Sequence, residues 1–406
     1  MQAPAPAIDL LTSRLDAAHE QYAAISAARH YFPKLFTEYA GKPGQMPIRP
    51  GKPAPKCLRH FGTTWLLISK DKAALAMDWG TDKAVETIQA MLAKGEIRSI
   101  EGLWITHYHD DHVDSIPAFQ KAFPDCPCIT DRAVAEVITR PMAWRLPCIS
   151  PSVARVDRAT KDGESWPWHE FQLTAYRFPG QTLYHAGLFV EGQGLRMLFV
   201  GDSFTMAGID DYCMHNRNWL GPGVGFDRCI ALIQELRPTH IFNPHVTPAF
   251  DFTDEQCRFM RANLAQREKL FGELLPWDHA NYGMDEPWLR CDPYQQKAAA
   301  GSEVTLELVI TNHSSQPRTA SCRLILPRAW DGKGTDPAWP PEIVLGKRVA
   351  LSTWSTPIEV PAKTDGRVRL SLRIPADVKP GRYVIPVDVR FDRWALPQFS
   401  EAIVEL

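Results

Sequence analysis

The chain has 406 residues, 45% hydrophobic and 23% charged, enough to bury a core of useful size and, at roughly 100–200 residues per domain, to form two or three domains. Its 45 basic and 47 acidic residues leave a net charge of -2 with no Lys/Arg run of five or more, which argues on bulk electrostatics against nucleic acid or an anionic membrane as partner. No apolar run approaches the roughly 18 residues that a membrane span requires.

The start, Met1-Gln2-Ala3-Pro4-Ala5, has neither the basic nor the apolar region of a signal peptide. An Ala/Pro start is also what removal of a signal would leave, so the compartment stays open. Leu10, Leu11, Leu15, Ala18, Tyr22, Ile25 and Ala28 recur at helical spacing and predict a helix over 8–40. Two Gly-Lys-Pro segments and further prolines make 41–56 an extended linker, so 1–56 reads as a helical extension.

From Cys57 the pattern changes. Alternation predicts strands over 63–67 and 73–77, joined at Asp71-Lys72. Asp82 then opens a helix whose apolar face is Ala84, Val85, Ile88, Met91 and Leu92, ending at Gly95. A buried strand over 103–106 follows, then helices at about 113–122 and 131–140. Further strands fit 171–178, 184–190, 196–201 and 240–242, with helices near 226–236 and 253–272. Strands alternating with helices indicate a layered α/β domain over 57–275. Beyond about 285 the texture is all-β: Val304, Leu306, Leu308 and Ile310 alternate with polar residues, as do Val368, Leu370, Leu372 and Ile374. A β-sandwich over 286–406, loosely similar to immunoglobulin-like domains, accounts for this, with the boundary in 276–290. The nine cysteines include no CxxC pair and indicate neither a disulfide framework nor a zinc finger.

The chemistry concentrates in Thr106-His107-Tyr108-His109-Asp110-Asp111-His112, directly after the apolar run Leu103-Trp104-Ile105. Neutral imidazole and carboxylate are preferred ligands of zinc, iron and manganese, so this density of both points to a metal site. Three further donors stand at predicted strand ends, where loops converge on one crevice: His185 after Pro179-Gly180, Asp202 after Gly201, and His245 after His240-Ile241-Phe242.

Here residues 57–275 resemble the metallo-β-lactamase fold superfamily. The family pattern HxHxDH matches His107, His109, Asp111 and His112. Its Pro-Gly-His-Thr-x-x-His motif matches Pro179 to His185, with Gln181 where the family often has histidine. Its Gly-Asp motif matches Gly201-Asp202, and its late histidine matches His245. The resemblance implies an αββα sandwich and a dinuclear, zinc-type centre, with iron or manganese as alternatives. His107, His109 and His185 would hold one ion, Asp111, His112 and His245 the second, and Asp202 would bridge. It also implies hydrolysis by a metal-bridging hydroxide, with Asp111 handling a proton. Aspartate at 202 is similar to glyoxalase II-like and lactonase-like members, which makes a small ester, lactone or thioester the expected substrate. β-Lactamases of the family usually carry Cys or His there.

Several residues keep two readings. Tyr108 and Tyr184 neighbour ligands and could hydrogen-bond a tetrahedral oxyanion, or simply pack. The stretch 203–224, with Tyr212, His215, Asn216, Arg217 and Trp219, is either a substrate-facing wall or an irregular packed loop. Asp78, in an Asp-x-Gly turn, is expected to orient a ligand histidine. His60, His169, His240 and His279 read as ordinary polar residues, and the sequon at Asn312 is discounted. Two rival functions remain: a mononuclear iron dioxygenase on the same fold, and a non-catalytic metal-stabilised scaffold.

Overall fold

The computed structural model describes residues 49–210, 216–274, 277–327, 330, 350–352 and 354–406. The helix expected over 8–40 lies outside them, as do Tyr212 and His215. The described chain divides into two compact units, 49–141 with 146–285, and 142–145 with 286–406.

The first unit is built on two sheets. Strands β1 (Leu58–Phe61), β2 (Thr64–Ile68), β3 (Ala73–Met77), β4 (Ser99–Ile105), β5 (Cys128–Asp131) and β6 (Arg158–Thr160) form one sheet in that order. β1 to β3 are antiparallel, and β3 to β6 run parallel. The sequence Ala-Ala-Leu-Ala-Met of β3 is buried at every position, the continuous apolar run expected of a strand covered on both faces. Helices α1 (Lys83–Ala93), α2 (Asp110–Val113), α3 (Ile116–Ala122) and α4 (Arg132–Ile138) are interleaved with these strands. α1 buries Ala84, Ile88 and Met91 and stops just before Gly95, whose φ of +66° suits glycine. At α4 the Asp131 carboxylate accepts the Ala133 N–H and caps the first turn.

The second sheet follows from β7 (Glu164–Trp168), β8 (Phe171–Arg177), β9 (Ala186–Gly192), β10 (Leu195–Phe199), the short hairpin β11 (Phe204–Thr205) and β12 (Gly208–Ile209), and β13 (His240–Phe242). Its order is β13-β10-β9-β8-β7, parallel only between β13 and β10. Helices α5 (Gly225–Leu236) and α6 (Asp254–Leu274) pack over it. Phe226, Ile230 and Ile233 of α5 join Met260 and Leu264 of α6 against Phe189, Leu198 and Ile241 of the strands. The result is an αββα sandwich. The single-turn helix α7 (Asn281–Met284) belongs to this unit, which runs past position 275 to Asp285.

Topology gathers the histidines. β4, β10 and β13 end at the same edge of the sandwich, and β9, running the other way, begins there. His107 and His185 form an isolated backbone bridge between the two sheets, and Ala186 N–H donates to Thr106 O at 2.7 Å. The strand ends are thereby held in fixed register.

The second unit is all-β. One sheet joins β14 (Leu289–Asp292), β16 (Glu303–Thr311) and β20 (Asp365–Arg373). The other joins β15 (Gln295–Lys297), β22 (Trp394–Glu405), β21 (Arg382–Phe391), β17 (Arg318–Leu326) and β18 (Ala350–Leu351), with β19 (Ile358–Val360) also on β17. Val304, Leu306, Leu308 and Ile310 are buried as their alternation predicts. Asn312 is buried and donates to the carbonyls of Gln316, Val360 and Pro361, so its amide is a structural tie. Cys57, Cys126, Cys128, Cys229, Cys257, Cys291 and Cys322 are buried free thiols. Among the described residues no helix is long and apolar enough to cross a membrane.

Candidate metal centre

All seven residues singled out from the sequence converge on one crevice. His107, His109, His112, His185 and Asp202 are buried, while Asp111 and His245 line the open side, their side chains 48% and 31% exposed. Asp111, His112, Asp202 and His245 bring donor atoms within 4.8 Å of one another, and so do His107, His109 and Asp202. Asp202 belongs to both groups. Its Oδ1 lies 3.2 Å from His112 Nε2, and its Oδ2 lies 3.3 Å from His245 Nε2 and 3.8 Å from His107 Nε2. Asp111 Oδ2 is 3.0 Å from His245 Nε2. His185 stands beside the second group without completing it: its ring stacks on His107 with centroids 4.7 Å apart, and its Nε2 is 3.2 Å from Ser203 Oγ.

The imidazoles are aimed by their far nitrogens. Asp78, buried at the turn after β3 with φ +64°, accepts the Thr106 N–H at 2.7 Å and the Thr106 hydroxyl at 2.8 Å. Its Oδ2 also faces His112 Nδ1 at 2.9 Å, which turns His112 Nε2 into the crevice. This is the orienting role expected of the Asp-x-Gly turn. Thr106 Oγ1 in turn lies 3.0 Å from His107 Nδ1. The last ligand is held by its backbone instead: Asn243 Oδ1 accepts the main-chain N–H of His245 at 2.7 Å while Asn243 Nδ2 donates to Phe204 O at 3.0 Å.

Two glycines make room for this packing. A Cβ on Gly80 would sit 1.6 Å from Asp111 O, so the turn that carries Asp78 can lie directly on the HxHxDH segment only without one. A Cβ on Gly201 would come within 2.7 Å of both His185 Nε2 and Thr106 Oγ1, at a φ of +49°.

Charge is concentrated here. Burial would lower His112, but Asp202 and Asp78 outweigh it and hold the imidazole well above its ordinary range. Burial likewise opposes protonation of His245, yet its hydrogen bonds to Asp111 and Asp202 push it up to about 10. Burial would raise Asp202, but the neighbouring His112 and His245 keep it well below the usual carboxylate range. His107 is driven well below its ordinary value by burial and by the adjacent histidines, and burial brings His185 down to about 3. Protons on His112 and His245 thus occupy the place a cation would take. His107 Nε2 and His185 Nδ1 are buried without a hydrogen-bond partner. Such orphans are expensive unless a ligand satisfies them, and a metal ion fits the donor set.

The two tyrosines are engaged elsewhere. Tyr108 O–H donates to Asn216 Oδ1 at 2.7 Å, and the Tyr184 oxygen accepts from Arg217 Nη1 at 3.1 Å. Arg217 is buried and paired with Asp285, Nε to Oδ1 at 2.9 Å, and Trp219 Nε1 donates to the same carboxylate at 3.0 Å. His60, read from sequence as an ordinary polar residue, bonds Pro244 O through Nε2 at 2.8 Å and so braces the His245 loop. Thr106, Ser203, Asn243 and Asp285 received no role of their own from the sequence. The first three are small polar residues next to, or two residues from, a ligand, and that adjacency was the available signal.

Residues 60–212 match the model of the Metallo-beta-lactamase superfamily and form a domain of that family. Among curated proteins, a hydroxyacylglutathione hydrolase of Stenotrophomonas maltophilia is 29% identical over 133 residues, 30% of this chain and 46% of that protein. One of Vibrio campbellii is 28% identical over 145 residues, 36% of this chain and 47% of its own length. The chain thus spans about half the length of the curated relatives it matches. Among solved structures, a subclass B3 metallo-beta-lactamase of Bradyrhizobium japonicum aligns at 14% identity with a TM-score of 0.38, over 52% of this chain and 88% of that one.

Proposed function

We propose that the chain is a zinc-dependent hydrolase of small esters, lactones or thioesters, with two ions held by seven side chains. His107, His109 and His185 would hold one ion, Asp111, His112 and His245 the other, and Asp202 would be shared. The observation that carries this reading is Asp202 itself, a buried carboxylate whose oxygens approach histidines of both groups. Ions bound there would supply Lewis acidity and would lower the pKa of water to roughly 7.

The chain's own residues do the rest. Asp78 and Thr106 fix the imidazoles of His112 and His107 so that Nε2 of each faces inward. Asp111, on the open side and in contact with His245, is the group to take up and return a proton as substrate enters and product leaves. Tyr184, next to His185 in the chain, accepts from Arg217 at its phenol oxygen, and in this reading its role is to stabilise a developing oxyanion. Thioesters are favoured among the three classes by the relatives named hydroxyacylglutathione hydrolase. In this reading residues 286–406 carry no chemistry, and the partner is a small molecule.

The rival iron dioxygenase needs only one ion, and the full Asp111, His112, Asp202 and His245 group speaks for a second. The test is a substrate panel of lactones, thioesters, β-lactams and phosphodiesters run with metal analysis. Two zinc ions per chain and a thioester or lactone turnover that disappears in His107→Ala and Asp202→Ala are expected. Full activity in either variant, or one iron per chain with oxygen uptake, refutes the proposal.

A further inference from the structure

The buried histidines of the site have partners of different kinds on their ring nitrogens. His112 and His107 both present Nδ1 outward, to a carboxylate and to a hydroxyl. His109 is turned the other way: its Nε2 lies 3.1 Å from Asn216 Oδ1. Asn216 is 1% exposed, and the same oxygen accepts the Tyr108 hydroxyl at 2.7 Å. Its Nδ2 is buried with no hydrogen-bond partner. A buried amide that leaves its donor unpaired while its oxygen takes two bonds is held in place for that oxygen. The backbone that carries it is fastened. Arg217 O accepts the Leu183 N–H at 2.7 Å, Leu220 N–H donates to Asn281 Oδ1 at 2.7 Å, and Asn281 Nδ2 returns a bond to Leu220 O at 2.9 Å.

We propose that Asn216 is a positioning residue that fixes His109 in its Nε2–H tautomer and so presents Nδ1 as the metal-ligating nitrogen. The inference rests on the two-metal reading above. An amide oxygen orients an N–H without adding charge, which suits a crevice that already holds Asp78, Asp111 and Asp202. The opposite amide orientation would set an NH2 against His109 Nε2 and force its proton onto Nδ1, where it would block ligation.

The test uses the full chain with nitrogen-15 histidine. Long-range proton–nitrogen correlations on the wild type, with and without zinc, report the His109 tautomer, and chelator competition reports the affinity for each zinc ion. The expected result is the Nε2–H tautomer already in the metal-free protein. Asn216→Leu should weaken one zinc ion by about 10–100-fold and leave the other unchanged, and Asn216→Asp, which keeps an acceptor, should recover most of that loss. An Nδ1–H tautomer in the wild type overturns the inference, and this measurement decides the matter even if Asn216→Leu fails to fold. Equal binding of two zinc ions by wild type and Asn216→Leu also overturns it, whereas a wild type that binds no zinc overturns the proposed function instead.

Discussion

Asp78→Ala tests whether the crevice is shaped by the turn beneath it. The carboxylate accepts three hydrogen bonds from two residues, and only the Thr106 hydroxyl can rotate to find another partner. The Thr106 N–H and His112 Nδ1 would be stranded, since both residues are buried beneath the open side of the crevice. At about 1–3 kcal/mol for each buried donor left unsatisfied, the metal-free protein should lose on the order of 2–6 kcal/mol. That is a large share of the roughly 5–15 kcal/mol that typical proteins possess. Asp78→Asn keeps the volume and one acceptor oxygen, so it should cost less stability. It still removes the carboxylate behind His112, and zinc affinity should fall about 10–100-fold, the usual consequence of losing a partner that orients a ligand. Denaturant unfolding in the presence of a chelator gives the first quantity and chelator competition the second. If Asp78→Ala unfolds at the wild-type midpoint and Asp78→Asn binds zinc with wild-type affinity, the argument that this turn orients the centre is wrong.

Two further outcomes follow from the same geometry. In the metal-free protein His112 and His245 are raised above the free imidazole value, so their protonated pairing with Asp202 stabilises the fold most fully below about pH 6.5. That contribution is lost as pH climbs towards 10, the value to which His245 is pushed, so thermal unfolding of chelator-treated protein should shift down between pH 7 and 10. Zinc must displace those protons, so binding at pH 7 should release them, and calorimetry in buffers of different ionisation enthalpy counts them; no release refutes the assignment. The second outcome concerns the buried Arg217–Asp285 pair. Asp285→Ala takes the carboxylate away from the buried guanidinium and should cost about 3–5 kcal/mol, and Arg217→Met with Asp285→Leu should recover much of it in the same unfolding assay.

How much of this was legible in the sequence depended on how local each signal is. β2, β3, α1, α5 and β13 appeared almost where periodicity put them, because their apolar spacing is written in consecutive residues, although Asp82, expected to cap α1, makes no side-chain cap bond. β5 and β6 were not foreseen: they are short strands that become strands only by pairing beside β4, a long-range event that leaves little local pattern. The ligands were legible because imidazole clusters are rare and each stands at a strand end. What holds the ligands was mostly not. Asn216, noticed only as part of a loop, reaches His109 across more than a hundred residues of chain, and Asp285, beyond the expected end of the domain, anchors Arg217 across 68. Sequence thus names the atoms that can touch a metal, while the choice of which nitrogen each histidine offers is made by residues that only the fold brings near. His109 and His112 make the point: the same side chain three residues apart, one aimed by an amide through Nε2 and the other by a carboxylate through Nδ1.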